Sequence, residues 1–182
     1  MINNFAIFIL THGRPNNQKT LDALLLSGYT GEYYLVVDNL DKTKDDYIKK
    51  YGKKVIVFDK VEYVEKTDTG LITPMINFAV FARNAIETIA KNMGYKYFGM
   101  FDDDISKFRF RYEESGRLTS LSVQNMDEVL KTYIEYMRNG KIACVSFGVV
   151  TQYIGGINRF RQRVPDNNSL RMCFNAYIRD AD

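Results

Sequence analysis

The chain has 182 residues, 46% of them hydrophobic and 26% charged, which suits one domain with a sizeable buried core and excludes a disordered chain. Its formal net charge of +3 builds no global field for polyanions, so any affinity for nucleic acid has to come from local patches. No apolar run approaches the ~20 residues of a membrane span, and no basic leader precedes a signal-type apolar stretch, so the expectation is a soluble, cytoplasmic protein with no membrane partner.

The first strand is the continuous apolar run of residues 5–10, the pattern of a strand covered on both faces. The loop Thr11-His12-Gly13-Arg14-Pro15 follows, then a helix from about Asn17, with Leu21, Leu24 and Leu25 at helical spacing and Gly28 as its stop. Residues 33–37 read as a second strand ending at Asp38-Asn39. Thr43 reads as the cap of a short helix, with Asp45 and Asp46 in its first turn, Lys49 and Lys50 in its last, and Gly52 beyond. A third strand covers residues 55–58, and the polar stretch 59–73 reads as a functional loop. Thr73-Pro74 opens a helix with an apolar face of Phe78, Ala82, Ala85, Ile86, Ile89, Ala90 and Met93, ended by Gly94. The fourth strand, residues 97–101, runs straight into Asp102-Asp103-Asp104.

This alternation implies right-handed crossovers and an α/β, Rossmann-like architecture, with a mostly parallel central sheet and helices on both faces. After Asp104 the pattern changes. Residues 107–112 alternate between basic and aromatic side chains, a helix capped by Asn125 and Glu128 runs to about Asn139, residues 142–150 read as a buried strand, and a short strand-like piece covers 172–178. Cys144 and Cys173 lack metal-ligand spacing and sit among apolar residues, which reads as buried free thiols.

Ligands of open parallel sheets bind beyond the carboxyl ends of the strands. Three such ends carry polar residues here: Thr11 to Arg14, Asp38-Asn39, and Asp102 to Asp104. Three adjacent carboxylates repel one another unless solvated or neutralised. They offer hard oxygen ligands to Mg²⁺ or Mn²⁺, which use one or two carboxylates plus substrate phosphates. On an extended strand end Asp102 and Asp104 point the same way and can share an ion. A solvated acidic loop is the plainer alternative. Arg83 suits a diphosphate through its bidentate guanidinium, or pins its helix to an acidic loop. His12 is the only histidine and has no zinc-type partner.

The Ala82-Arg83-Asn84-Ala85 helix, the strand 97–101 and the Asp-x-Asp within Asp102 to Asp104 together resemble the core of GT-A-fold glycosyltransferases, over roughly residues 5–110. The compact chain and its Thr-His-Gly-Arg-Pro loop are similar to the phage-type, TET-associated glycosyltransferases thought to modify DNA. The resemblance implies a metal-dependent hexosyltransferase using a nucleoside-diphosphate sugar, most commonly a UDP-sugar, and Mn²⁺ or Mg²⁺. Residues 1–104 would form the donor-binding part and residues 105–182 the acceptor side. Thr11, Gly13, Arg14, Asp38, Arg83, Asn84, Asp102 and Asp103 would bind the donor, with Asp38 on the base and Arg83 near diphosphate or ribose. Asp104, with Asp102, would hold the metal. The sequence departs from the pattern at Asp38-Asn39, where many relatives carry paired acids, and so leaves the base open. In the resembling inverting enzymes the catalytic base lies in a later acidic motif. Asp180 and Asp182 are the only acids after Asp166, and the expectation is that the chain stops before that base.

The implied acceptor is a hydroxymethylated pyrimidine of phage DNA in the host cytoplasm. Arg109, Arg111 and Arg161, interleaved with Phe108, Phe110, Tyr112 and Phe160, would hold phosphates and stack bases. On periodicity alone, residues 107–112 are better described as a strand with one solvated and one core face, and it is the resemblance that shifts the balance. A polysaccharide or protein acceptor, a nucleotidyltransferase on the same sheet, and a non-catalytic nucleotide-sugar-binding module are the other functions this sequence allows.

Overall fold

The computed structural model describes residues 2, 4–68, 79–148, 158 and 175–182. Along the chain these form β1 (Phe5–Leu10), α1 (Lys19–Leu26), β2 (Glu32–Asp38), α2 (Lys44–Tyr51), β3 (Val55–Phe58), α3 (Lys60–Lys66) and α4 (Ala79–Asn92). They continue as β4 (Tyr97–Asp102), β5 (Arg109–Glu114), β6 (Arg117–Ser122), α5 (Met126–Gly140), β7 (Cys144–Ser146) and β8 (Ala176–Asp180).

Six strands make one sheet in the order β3-β2-β1-β4-β8-β7. The first four are parallel, while β8 runs antiparallel to both β4 and β7. The mostly parallel sheet of the sequence expectation is present, with the return strand β8 as its exception. Alternation along β1 explains the two layers. Phe5, Ile7 and Ile9 face a core built with Leu21 and Leu24 of α1, Tyr47 of α2, and Met126, Leu130, Ile134 and Met137 of α5. Ala6 and Phe8 face Ala85, Ile86 and Ala90 of α4, with Phe98 and Met100 of β4. Each fully buried Ile or Phe contributes roughly 1.5–3 kcal/mol relative to exposure, so a strand apolar at every position is stable only between two such layers.

Several local expectations need correction. Residues 60–66 are helical rather than looped, because Asp59 caps them by accepting from Val61 N at 3.0 Å and Glu62 N at 3.3 Å. Seven residues are too few to print a clear helical period. Thr43 precedes α2 without a side-chain capping bond; Asp41 instead accepts from Thr43 N at 2.7 Å and Thr43 Oγ1 at 2.8 Å. Leu25 and Met93, grouped with the apolar faces of their helices, are 53% and 43% exposed, since α1 buries only a narrow face and Met93 lies past the end of α4. The proposed helix start at Thr73-Pro74, Phe78 of its apolar face, Arg161 and Cys173 lie outside the described residues. Cys144 is a free thiol, half-buried, and burial pushes its pKa up.

The largest difference follows Asp104. Residues 107–112 are not a strand with one core face. Residues 109–112 belong to β5 of a separate two-stranded sheet, closed by a two-residue turn in which Ser115 (φ 49°) and Gly116 (φ 75°) are both left-handed. Such a turn matches the twist of a tight hairpin.

Gly28 fixes where α5 begins. Its φ is 79°, and a Cβ there would stand 2.4 Å from the Gln124 carbonyl oxygen. The close approach lets Met126 N donate to Ser27 O at 2.7 Å and Asn125 cap α5 through Glu128 N at 3.1 Å.

Candidate functional site

The carboxyl ends of β1, β2 and β4 meet because β1 lies between the other two, with Leu10 opposite both Val36 and Asp102. A pocket of about 170 Å³ opens there, lined by Leu10, Val36, Phe58, Ala79 and Ala82 on its apolar side. Its polar lining is Thr11, His12, Arg14, Asp38, Lys60 and Asp103. Thr11, Arg14, Asp38 and Asp103 are thus brought together as the sequence suggested.

At one end of this edge, Asp38 is a hub. It is buried, and its Oδ2 accepts from Lys60 Nζ at 3.2 Å and lies 2.9 Å from His12 Nδ1. Its Oδ1 accepts from Leu40 N at 3.2 Å. Asp41 holds the neighbouring turn, accepting from Gly13 N at 2.7 Å, with His12 Nδ1 at 3.5 Å. Burial acts to raise the Asp41 carboxyl, but the N–H groups of Gly13 and Thr43, the Thr43 hydroxyl and His12 outweigh it and hold it below the ordinary value. Gly13 therefore acts through its backbone: its φ of 69° turns the N–H onto Asp41.

A closed ring of hydrogen bonds joins this loop to the acidic triplet. Arg14 N donates to the Tyr47 hydroxyl at 2.8 Å, and that hydroxyl is 2.8 Å from Thr11 Oγ1. Thr11 Oγ1 donates to Asp103 Oδ2 at 2.7 Å, and Arg14 Nη1 closes the ring on Asp103 Oδ1 at 3.0 Å. Because Thr11 spends its only proton on Asp103, Tyr47 must donate to Thr11. Gln18 braces the ring, with Nε2 donating to Thr11 Oγ1 at 3.0 Å and Arg14 O at 2.8 Å.

The triplet itself is divided. Strand β4 ends at Asp102, while Asp103 and Asp104 lie in a turn. The strand alternation expected to aim Asp102 and Asp104 together therefore does not extend to Asp104. Asp102 pairs with Arg83 at 2.7 Å, its N–H donates to Asn175 O at 2.8 Å, and its carbonyl accepts from Thr20 Oγ1. Burial, chiefly, pushes its pKa up to about 6; Arg83 opposes this, while Asp104 and Asp103 add to it. Asp104 is exposed. Asn84, placed by sequence near the donor, donates to Thr67 Oγ1 at 2.9 Å and does not line the pocket. Arg109 and Arg111 stand on the hairpin beyond the site.

Asp180 lies opposite Tyr97, at the far end of β4 from Asp102, and both Asp180 and Asp182 pair with Lys96. At about 3.3 Å per strand residue they stand on the order of 16 Å from the acidic triplet, too remote to serve it as a base.

Lys60, Asp41, Tyr47, Gln18 and Thr20 were missed in the sequence. Each is polar and lies within or beside an apolar-periodic segment, where pattern reading counts it as an interruption. Only Asp41, two residues before Thr43, carried a local signal, the Asx turn.

No curated protein matches the chain at a significant level. A sequence profile for TET-Associated Glycosyltransferase matches residues 5–182, nearly the entire chain and both sides of the pocket described above. The chain belongs to the TET-associated glycosyltransferase family.

Proposed function

We propose that this glycosyltransferase is metal-dependent, takes its sugar from a nucleoside diphosphate, and delivers it to a hydroxyl on a modified pyrimidine of DNA. The observation that carries the donor half is the pocket at the strand ends, lined by apolar residues and by polar ones that include Asp103 of the acidic triplet. Leu10, Val36 and Phe58 suit the faces of a nucleobase. Asp38 supplies an acceptor and Lys60 a donor side by side. Uracil, with an N–H flanked by carbonyls, matches that pair, as does the guanine edge. Cytosine and adenine, which present an amino group beside a bare ring nitrogen, also offer one donor and one acceptor, so this pair does not choose the base. UDP is the proposed donor nucleotide on the strength of the resemblance to GT-A-fold glycosyltransferases.

The donor set also fits a hard cation. Asp104 is exposed, and Asp102 carries a pKa raised by burial and by neighbouring negative charge; among the described residues the triplet's three carboxylates meet two guanidiniums, Arg83 on Asp102 and Arg14 on Asp103. Among the described residues, no three His, Cys, Asp or Glu side chains gather where they could hold a metal ion. The proposal therefore requires an ion held by one or two carboxylates and completed by substrate phosphates. Asp104 and Asp102 would hold Mn²⁺ or Mg²⁺, whose chemistry when bound is to offset charge on the departing nucleoside diphosphate. Arg83 and Arg14 orient the diphosphate between the ends of β1 and β4, and Asp103 keeps Arg14 aimed there.

Calorimetry with UDP, GDP, CDP and ADP, each with and without Mn²⁺, tests this reading. UDP should bind most tightly and only with the ion. Asp104→Ala should weaken the metal-dependent binding by about tenfold or more, on the scale of one lost charge-assisted ligand. Equal affinity for all four nucleotides, or an Asp104→Ala titration identical to the parent, would overturn the donor assignment.

A further inference from the structure

One residue of α1 holds the backbone of the acidic turn at three successive points. Thr20 Oγ1 donates to the Asp102 carbonyl, and Ile105 N donates to Thr20 Oγ1 at 2.9 Å. Thr20 N donates to the Asp103 carbonyl at 3.4 Å, the longest of the three bonds. The groups held are the peptides between residues 102 and 103, 103 and 104, and 104 and 105. Peptide groups are planar, so the φ and ψ of a residue are the rotations between the two groups that flank it. Holding all three groups therefore fixes the backbone of both Asp103 and Asp104.

Its place in the helix lets Thr20 do this. It stands in the first turn of α1, where backbone N–H groups have no partner inside the helix, so its N–H is available to the Asp103 carbonyl. A hydroxyl carries one proton and spare lone pairs, which allows it to donate to Asp102 and accept from Ile105 together. The side chain is fully buried and branched at Cβ, which restricts its rotation. Asp102 and Asp103 have further support: Arg83 and Asn175 bond the first, and Thr11 and Arg14 bond the carboxylate of the second. Asp104 is exposed and has no ion-pair partner among the described residues. Its carboxylate is placed through its backbone, and Thr20 holds the peptide groups on both sides of it.

We infer that Thr20 is the positioning residue of the acidic turn: it holds the Asp104 carboxylate in place for a divalent cation and so sets the affinity for that ion. It touches neither the ion nor the nucleotide and acts through Asp104. Residues that orient a metal ligand matter in this way because the ligand otherwise has to be ordered at the moment of binding. The inference rests on the metal site proposed above.

Mn²⁺ binding to the full chain in the presence of UDP, followed by loss of the free-ion electron paramagnetic resonance signal, tests it. Circular dichroism sets a temperature at which every variant is folded. Thr20→Val keeps the branched shape but removes both hydroxyl bonds, and should weaken Mn²⁺ binding by about tenfold. Thr20→Ser keeps the hydroxyl and should restore binding close to the parent value. In an Asp104→Ala background the same Thr20→Val change should cost little more, because the ligand it places is gone. A Thr20→Val protein that binds like the parent, a Thr20→Ser protein as weak as Thr20→Val, or a full additive loss in the Asp104→Ala background would overturn the positioning role and leave the metal site standing. If Thr20→Val does not fold, Thr20→Ser against Thr20→Ala, which differ only in the hydroxyl, decides on the same terms. A parent that takes up no Mn²⁺, or no more than Asp104→Ala does, would overturn the metal reading and this inference with it.

Discussion

Asp41 and Asp102 stand on the same edge of one sheet, yet their surroundings push them in opposite directions. Asp41 is ringed by donors from Gly13 and Thr43, which outweigh burial and hold its carboxyl below the ordinary value. Asp102 is driven up to about 6 by burial and by two neighbouring carboxylates, with Arg83 as its main counterweight. At the Asp38–Asp41 end both carboxylates are held by several backbone and side-chain donors. At the other end Asp102 pairs with Arg83 and Asp103 with Arg14, while Asp104 is exposed and has no ion-pair partner among the described residues. The edge is thus braced more fully at one end than at the other, and perturbed carboxylates such as Asp102 cluster at functional sites.

The largest way to break this contrast is to remove the hub of the more fully braced end. Asp38 and Lys60 have side chains only 6% and 11% exposed, so Asp38→Ala leaves a buried ammonium without its carboxylate. Breaking such a pair costs about 3–5 kcal/mol, and urea denaturation should show a loss of that order. A loss no larger than that of Asp104→Ala, which removes an exposed side chain and should stay within about 0.5 kcal/mol, would mean that the two ends are equally braced.

A smaller effect is expected inside the ring. Tyr47→Phe keeps the packing of a fully buried ring but removes the acceptor for Arg14 N and the donor to Thr11. The expected cost is about 1–3 kcal/mol, the penalty for an unsatisfied buried polar group, with weaker UDP binding because Arg14 is no longer held toward Asp103. Unchanged stability and binding would show that Gln18 and Asp103 suffice to hold the loop.

The smallest effect sharpens the comparison through pH. A carboxyl whose folded pKa is raised contributes stability that is present below its unfolded value and lost as pH rises through the folded value. For Asp102 that window runs from the ordinary carboxylate range up to about 6. Asp41, lowered, contributes in the opposite sense: its share is present above the unfolded value and lost as pH falls through the folded one. In metal-free protein, Asp102→Asn should therefore flatten the decline in stability on going from pH 4 to pH 7 (about the range set by ordinary carboxylate and raised pKa values). The corresponding Asp41→Asn variant should instead show its full loss of stability throughout that range, with the difference from the parent closing only as pH falls below the ordinary carboxylate value. Parallel pH profiles for the two variants would remove the distinction.

Much of the architecture was legible because apolar runs and helix-stop glycines are local signals. Residues 5–10 could only be a strand covered twice, and Gly28, Gly52 and Gly94, all with positive φ, stand where the helices stop. The hairpin was misread for a physical reason. Alternation along residues 107–112 reports that two faces differ, not that either is covered, and the turn signal lay in the dipeptide Ser115-Gly116. The pocket was half legible. Thr11, Arg14, Asp38 and Asp103 sit at strand ends, where position alone marks them, and the structure gathers them. Lys60 and Tyr47 come from the helices that follow, and only the folded sheet brings them onto Asp38 and Thr11.

Strand β8 has a further consequence, for the order in which the molecule can be made. It sits between β4 and β7 in space although it follows β7 by nearly thirty positions in sequence. As the chain leaves the ribosome, the parallel strands β1 to β4 and their helices can assemble in sequence. Strand β7 finds no place in the sheet until residues 176–180 emerge, and Asp102 waits just as long for the Asn175 carbonyl that holds its N–H. Domains fold as they are synthesised at roughly 5–20 residues per second, so the nascent protein passes through a stage with the Asp38 end formed and the Asp102 end still open. A chaperone that shields β4 during that interval would protect the one strand on which both halves of the sheet depend.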